Sequence, residues 1–204
     1  MAMLSMFILF TGGQGGRMML EEKNQYTYQR MSVSGISKWQ IFFGKFITVL
    51  IIGIVQISIM IAYTTIVLKV SWGNFVNVAL ITTCALLAVA AMGVMISAIT
   101  LKTGNFKVAN LMENFIFQIM AFLGGSFVPV EMLPKMFSKI SYFTINGLTL
   151  KAYLLNMQGY SILEYRSLLG ILLGITVLFI SIGIAIMNRE KRWKNVEHHT
   201  PADT

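Results

Sequence analysis

The chain of 204 residues contains few of the residues from which enzymes and metal proteins build their sites. Its single cysteine, Cys84, excludes a disulfide framework within the chain and a cysteine-based zinc site. The two histidines, His198 and His199, lie in a polar tail, so the apolar segments contain no histidine base or ligand. No phosphate-binding loop is present, because a phenylalanine follows Gly44-Lys45 where serine or threonine is required. We therefore predict no catalytic residue, no metal and no cofactor, and we expect ATP-driven work only from a partner.

Long apolar runs are what the chain does contain. It is 56% hydrophobic and only 12% charged, which is outside the usual balance of a soluble domain. A hydrocarbon core of about 30 Å takes about 20 helical residues to cross, and backbone polar groups in lipid must be satisfied within the segment. We therefore predict an all-α, polytopic transmembrane helical bundle. Its complete spans are expected in the runs 41–68, 76–101, 108–128 and 168–187.

The lysines and arginines are distributed unevenly between alternate loops. Eleven of the 16 lie in residues 17–45, residues 102–107 and the C-terminal tail, and five lie in the other loops. The positive-inside rule therefore predicts a multi-pass plasma-membrane protein with those segments and its C-terminus in the cytoplasm. Anionic lipid headgroups explain the net charge of +8 better than nucleic acid, which we do not expect as a partner.

Residues 1–16 are apolar as far as Thr11 and then contain a glycine cluster. The apolar part is too short to cross a bilayer alone, and it lacks the basic start and the cleavage site of a signal peptide. We expect a truncated transmembrane helix that enters the cytoplasm at Arg17. A short segment in the membrane interface is the alternative.

Residues 17–40 form a polar cytoplasmic segment with amphipathic character. Gly35 is expected to end its first helix, and Ser37 is expected to cap the next one, which enters the membrane past Trp39. One interpretation is a helix that lies on the membrane surface. The other is a coupling segment on which a cytoplasmic partner docks, and the residues alone leave both open.

Glu113 is the only acid within a predicted span. Acids at that depth are costly and usually face a bundle interior or a cavity. A contact with a proton or a substrate and a hydrogen-bonded structural role, helped by Lys107, both stay open. The polar residues expected on the same helical face are Asn110, Asn114 and Gln118.

The segment 129–165 is expected outside the cell as a re-entrant helical hairpin. Two short amphipathic helices, 135–141 and 148–157, are predicted, with a break at Ile145-Asn146-Gly147. So much apolar content in a loop indicates that it dips toward the membrane, where irregular backbone is tolerated only against protein or a wet cavity. Three transmembrane helices in 41–128 precede it, and the last transmembrane helix, 166–188, and a basic tail, 189–204, follow it.

The order of these features resembles the permease subunit of ABC type-2 exporters. An acidic-basic amphipathic segment at 21–30 leads through a small-residue break at 31–35 to Gly44-Lys45 at the start of a span. The most specific match is the motif Gly-Gly-x-Phe-x-Pro-x-x-x-Leu-Pro at 124–134. The chain resembles the C-terminal portion of the usual six-span permease, so we expect the first span and any domain after it to be absent.

The resemblance implies an exporter that moves an amphipathic or hydrophobic substrate, such as a drug, lipid or peptide. The implied partners are an ATP-binding cassette ATPase subunit, a second permease subunit in a homo- or heterodimer, and the lipid bilayer. A truncated, non-transporting scaffold is the alternative, and the lack of histidines within the spans argues against an intramembrane enzyme. The expected ATPase-docking residues are Glu21, Glu22, Tyr26, Tyr28 and Arg30, and the expected outer gate consists of Gly124, Gly125, Phe127, Pro129 and Pro134.

Overall fold

The computed structural model of the chain describes residues 2–25, 27–103, 106–127, 132 and 140–197. Within these ranges all of the longer secondary-structure elements are α-helices, which confirms the all-α prediction. In chain order they are α1 Ala2–Asn24, α2 Thr27–Val33, α3 Lys38–Ile66, α4 Phe75–Thr103, α5 Phe106–Leu123, α6 Ile145–Met157 and α7 Ile162–Glu197.

Three helices are long and apolar enough to cross a membrane. They contain the stretches Trp39–Ile66, Phe75–Thr100 and Ile162–Met187, which match three of the four predicted runs. The remaining run corresponds to α5, in which the apolar stretch Asn114–Leu123 is described in full. A fourth complete span there stays a prediction.

The boundary between α2 and α3 follows the predicted turn chemistry. Gly35 adopts a positive φ of 80°, which glycine tolerates better than other residues. The Ser37 Oγ accepts a hydrogen bond from the Gln40 backbone at 3.3 Å, and the Ser37 backbone donates to Gln40 Oε1 at 2.8 Å. This reciprocal capping box confirms Ser37 as the N-cap of α3.

Helix α4 lies at the centre of the bundle and contacts α1, α3, α5, α6 and α7. Small residues dominate its buried surface, and they let neighbouring backbones come close. Gly93 shows this most directly, because a Cβ atom added there would lie 2.3 Å from the carbonyl oxygen of Gly12 on α1. The buried small residues of α4 include Ala85, Ala88, Ala90, Ala91 and Ala98.

Helix α6 is buried between α1, α4, α5 and α7. It begins at Ile145, so the predicted break at 145–147 is wrong: these residues form the first turn of the helix. The Thr144 side chain caps this turn by accepting a hydrogen bond from the Gly147 backbone at 3.1 Å. The cap compensates for the low helix propensity of Gly147, which suggested a break.

The two ends of the bundle are distinguished by their contacts. We call the end that contains Ala2, the α3–α4 loop and α6 the outer end, and the opposite end, near Glu22, the inner end. Helix α1 joins the two ends without a break across the predicted boundary between residues 16 and 17. The names follow the predicted orientation, which stays a prediction.

Candidate functional site

An ion pair joins α1 to α3 at the inner end of the bundle. Lys45 Nζ donates to Glu22 Oε1, and both side chains are partly buried. The second carboxylate oxygen of Glu22 is buried and has no hydrogen-bond partner among the described residues. Beside the pair lies a cleft of about 250 Å³, lined by Glu22, Met31, Ile36, Gln40, Ile41, Gly44, Lys45 and Thr48.

The surface around this cleft combines charge with exposed apolar side chains. Glu21 and Arg30, two of the predicted docking residues, are exposed. Val33 at the end of α2 is 89% exposed, and Ile36 after the turn is also exposed. Of the other predicted docking residues, Tyr26 lies outside the described residues, as does the side chain of Tyr28.

The glycine pair at the outer end of α5 has two distinct structural reasons. A Cβ atom on Gly124 would lie 2.7 Å from Asn146 Nδ2 and 2.8 Å from the Gly147 backbone nitrogen, so α6 leaves room only for glycine. Gly125 adopts a positive φ of 84°, which turns the chain at the end of the helix. The motif therefore brings α5 against the first turn of α6.

Hydrogen bonds connect this glycine turn to α1 and α6. Ser126 Oγ donates to the Ala2 carbonyl oxygen at 3.1 Å, and Asn146 Nδ2 donates to Ser126 Oγ at 2.5 Å. Phe127 follows and is exposed. Of the predicted outer gate, the turn glycines and Phe127 thus lie together, whereas Pro129 and Pro134 lie outside the described residues.

A second polar cluster, the Asn156 cluster, fastens the α3–α4 loop to α4, α6 and α7. Asn156 Nδ2 donates to the carbonyl oxygens of Trp72 at 2.7 Å and Asn74 at 3.3 Å. Asn156 Oδ1 accepts from Asn77 Nδ2 at 3.1 Å and from the Tyr165 hydroxyl at 3.3 Å. One buried amide on α6 therefore forms hydrogen bonds with three other segments, and it joins them at the outer end of the bundle.

The Tyr153 side chain extends this cluster into the bundle. Its ring meets Trp72 edge to face with centroids 5.7 Å apart, and its hydroxyl lies 2.7 Å from the Thr82 hydroxyl on α4. Burial raises the pKa of the Tyr153 phenol, and the hydrogen bond with Thr82 offsets part of that shift. Tyr153 therefore stays neutral and acts as a hydrogen-bonding group.

A groove of about 540 Å³ separates the outer halves of α3 and α4. The two helices are close at Gly53, where an added Cβ would lie 2.5 Å from Leu86 Cδ2. Aliphatic side chains line most of the groove, and Thr82 at its wall links it to Tyr153. The other lining residues that carry hydroxyl groups are Ser58, Thr65 and Thr83.

The predicted polar face around Glu113 is described only in part. The side chains of Glu113 and Asn110 lie outside the described residues, although their backbones belong to α5. Asn114 and Gln118 are exposed at the bundle surface. A role for this face in transport stays a prediction.

Sequence reasoning missed several residues of these clusters. It placed Lys45 only at the start of a span, whereas the structure also pairs it with Glu22. It named neither Asn156 nor Asn146 as a site residue, although an amide in an apolar segment is a usable signal because buried polar groups need partners. Among the described residues, no group of three or more acidic, cysteine or histidine side chains is placed to hold a metal.

Comparison with known proteins agrees with this architecture. The family model described as ABC-2 family transporter protein matches residues 1–185. The chain is 23% identical over 184 residues to the linearmycin resistance permease protein LnrN of Bacillus subtilis (strain 168). That match covers 88% of this chain and 46% of the relative, so the chain spans about half the length of that protein. No solved structure matches the chain. The chain therefore belongs to the ABC-2 family of transporter proteins.

Proposed function

We propose that this chain is the permease subunit of an ATP-binding cassette exporter in the plasma membrane. It moves an amphipathic or hydrophobic substrate outward, and a separate subunit hydrolyses the ATP. The observation that carries the proposal is the family match over residues 1–185 together with the surface that the inner end presents. A second permease subunit completes the transporter.

The inner-end surface supports docking of the ATPase subunit. Glu21 and Arg30 are exposed for ion pairs, and Val33 and Ile36 are exposed apolar side chains next to a cleft. Apolar anchors with a charged rim are the usual composition of a protein interface. Glu22 is paired with Lys45 instead, so its part is to hold the docking segment against α3.

The groove between α3 and α4 supports a hydrophobic substrate. It lies within two membrane-spanning stretches, and its lining is aliphatic with a few hydroxyl groups. The relative LnrN is named for resistance to linearmycin, and outward transport is one way in which a permease gives resistance. The outer gate is proposed at the glycine turn and Phe127, next to α6.

Purification from native membranes tests the proposal most directly. The tagged chain is solubilised in mild detergent, and the proteins that elute with it are identified by mass spectrometry. We expect an ATP-binding cassette subunit in stoichiometric amount and ATP-dependent movement of hydrophobic dyes after reconstitution of the complex in liposomes. An intact, folded chain that elutes without such a subunit would contradict the proposal.

Charge reversal separates docking from a surface helix. Glu21→Lys is expected to lower recovery of the ATPase subunit about tenfold, because a like charge or an unpaired charge at an interface is costly. Glu164→Lys, in the first turn of α7 at the outer end, is the matched control and should leave recovery unchanged. Equal recovery with both variants would favour a helix on the membrane surface. Binding without any stimulation of ATP turnover or dye movement would favour the scaffold.

A further inference from the structure

Helix α1 touches both regions that the proposed function requires, the docking surface and the glycine turn of the outer gate. Its 23 residues form one unbroken helix of about 35 Å, which is close to the thickness of the hydrocarbon core. Along the chain, the four helices α2, α3, α4 and α5 separate residue 22 from residue 126. Helix α1 therefore forms one rigid connection between the docking surface and the glycine turn.

The outer attachment of α1 consists of hydrogen bonds rather than of apolar packing alone. The Ala2 carbonyl oxygen accepts from Ser5 Oγ at 2.8 Å within the helix and from Ser126 Oγ at 3.1 Å across to the glycine turn. Asn146, only 1% exposed, donates to the same Ser126 hydroxyl. A movement of α1 at this end must therefore either move the glycine turn and α6 with it or break these hydrogen bonds.

The inner attachment is the ion pair between Glu22 and Lys45. It ties the last turn of α1 to the second turn of α3, directly beside the cleft at the docking surface. A partner that moves α2 or the start of α3 therefore also displaces the inner end of α1.

Halfway along α1 the contact with α4 is made by backbone. The carbonyl oxygen of Gly12 lies against Gly93, and a Cβ on Gly12 would lie 2.8 Å from the Val89 carbonyl oxygen. Thr11 Oγ1 also donates to Gln56 Oε1 on α3 at 3.2 Å. The backbones of α1 and α4 therefore approach each other directly at this point, and the Val89 side chain also packs there, with its Cγ1 atom 2.6 Å from an added Gly12 Cβ.

We propose that α1 is the element that couples ATPase docking to the outer gate, with the Gly12–Gly93 contact as its pivot. Ser126 and Asn146 are the positioning residues that attach α1 to the gate. This inference rests on the proposed function, because it requires an ATPase partner. The contact between α1 and Ser126 differs between the nucleotide-free and the ATP-bound complex.

Disulfide cross-linking measures that contact in the purified complex. In a Cys84→Ala background, Ser5→Cys and Ser126→Cys place two thiols next to the Ala2 carbonyl oxygen, to which both native hydroxyls donate. We expect the cross-link to form readily without nucleotide and about fivefold or more slowly with ATP and vanadate, because ligands shift populations between states. Equal rates in the two states would overturn the inference.

A second cysteine pair shows whether the change belongs to α1. Met95→Cys and Gly183→Cys join α4 to α7, since a Cβ on Gly183 would lie 3.7 Å from Met95 Cα. Nucleotide should leave the rate of this control unchanged, and an equal change in both pairs would also overturn the inference. ATP hydrolysis by the unmodified complex is measured first, so that failure of the proposed function is recognised separately.

The positioning residues give an independent readout. Ser126→Ala should preserve ATP hydrolysis while dye movement per ATP falls about fivefold or more, and Ser126→Thr, which keeps the hydroxyl, should restore it. A merely structural role of Ser126 would lower both activities together with the amount of folded complex. That outcome would contradict the role of Ser126 as the attachment of α1.

Discussion

Helices α3 and α4 are alike in length and apolar character, yet they occupy opposite positions in the bundle. Each has 29 residues and contains a membrane-spanning stretch. Only 17% of the most apolar window of α3 is buried, compared with 67% of that of α4. Hydropathy therefore identifies both as spans and does not distinguish the central helix from the peripheral one.

The difference lies in the size of the side chains. Lipid is as apolar as leucine, so helices in a membrane associate through close packing and polar contacts rather than through hydrophobicity. The exposed surface of α3 consists of large residues such as Ile47, Ile51 and Ile59, whereas α4 carries alanines and Gly93 where its neighbours approach. Small residues thus mark the helix that other helices surround.

The largest effect should come from adding side-chain volume where α1 and α4 touch. Gly93→Val is expected to destabilise the bundle by about 3 kcal/mol or more, because its side chain meets the Gly12 backbone and cannot be accommodated without separating the helices. Size-exclusion chromatography of detergent extracts before and after heating measures the folded fraction. Gly170→Val on α7, where no atom lies within 4 Å, is the matched control and should remain within about 0.5 kcal/mol of the parent. Similar losses for both variants would contradict the central position of α4.

Removal of side-chain volume tests the same comparison from the other direction. Ile81→Ala on α4, where the side chain is fully buried, should cost about 2 kcal/mol because a cavity remains among its neighbours. Ile59→Ala on α3, where the side chain is 64% exposed, should cost less than about 0.5 kcal/mol, since lipid fills the space. Thermal unfolding in detergent measures both, and equal shifts would show that α3 is buried against something else in solution.

Loss of the Asn156 amide should have a smaller effect. Asn156→Ala leaves two backbone carbonyls, Asn77 and the Tyr165 hydroxyl without this partner, and we expect a cost of about 1 to 2 kcal/mol. Tyr165→Phe removes one of these bonds and should cost about 0.6 kcal/mol, the average for such bonds in membranes. Thermal unfolding measures the stability of both variants. A larger loss of stability for Tyr165→Phe than for Asn156→Ala would contradict the central role of Asn156 in this cluster.

Loss of the ion pair at the inner end of α3 should cost no more than loss of the Asn156 amide. Lys45→Gln leaves the Glu22 carboxylate unpaired in a partly buried position, at a cost of about 1 kcal/mol. The double variant Glu22→Lys with Lys45→Glu should recover most of that loss because the pair re-forms with exchanged charges. Recovery is measured by thermal unfolding and by the amount of ATPase subunit that co-purifies. A double variant that is no better than Lys45→Gln would contradict the ion pair.

The sequence predicted the parts of this protein that depend on neighbours in the chain. Apolar length identified the helices of three spans, and Ser37 identified the start of α3. The Gly-Gly motif led to the family, which the match over residues 1–185 confirms. The failure at Ile145 has a local cause as well, because Thr144 was not recognised as a cap and Gly147 was interpreted as a break.

Only the tertiary structure decided which residues meet across long separations. Glu22 and Lys45 are 23 positions apart, and Asn77 and Asn156 are 79 apart, so neither pairing follows a helical or strand period. The same holds for Gly12 and Gly93, whose contact brings α1 directly against α4 at the centre of the bundle. Hydropathy and capping act within a few residues, and they therefore determine the helices by themselves. The arrangement of these helices depends on shape and on polar groups that come from distant parts of the chain, and it exists only once the chain is folded.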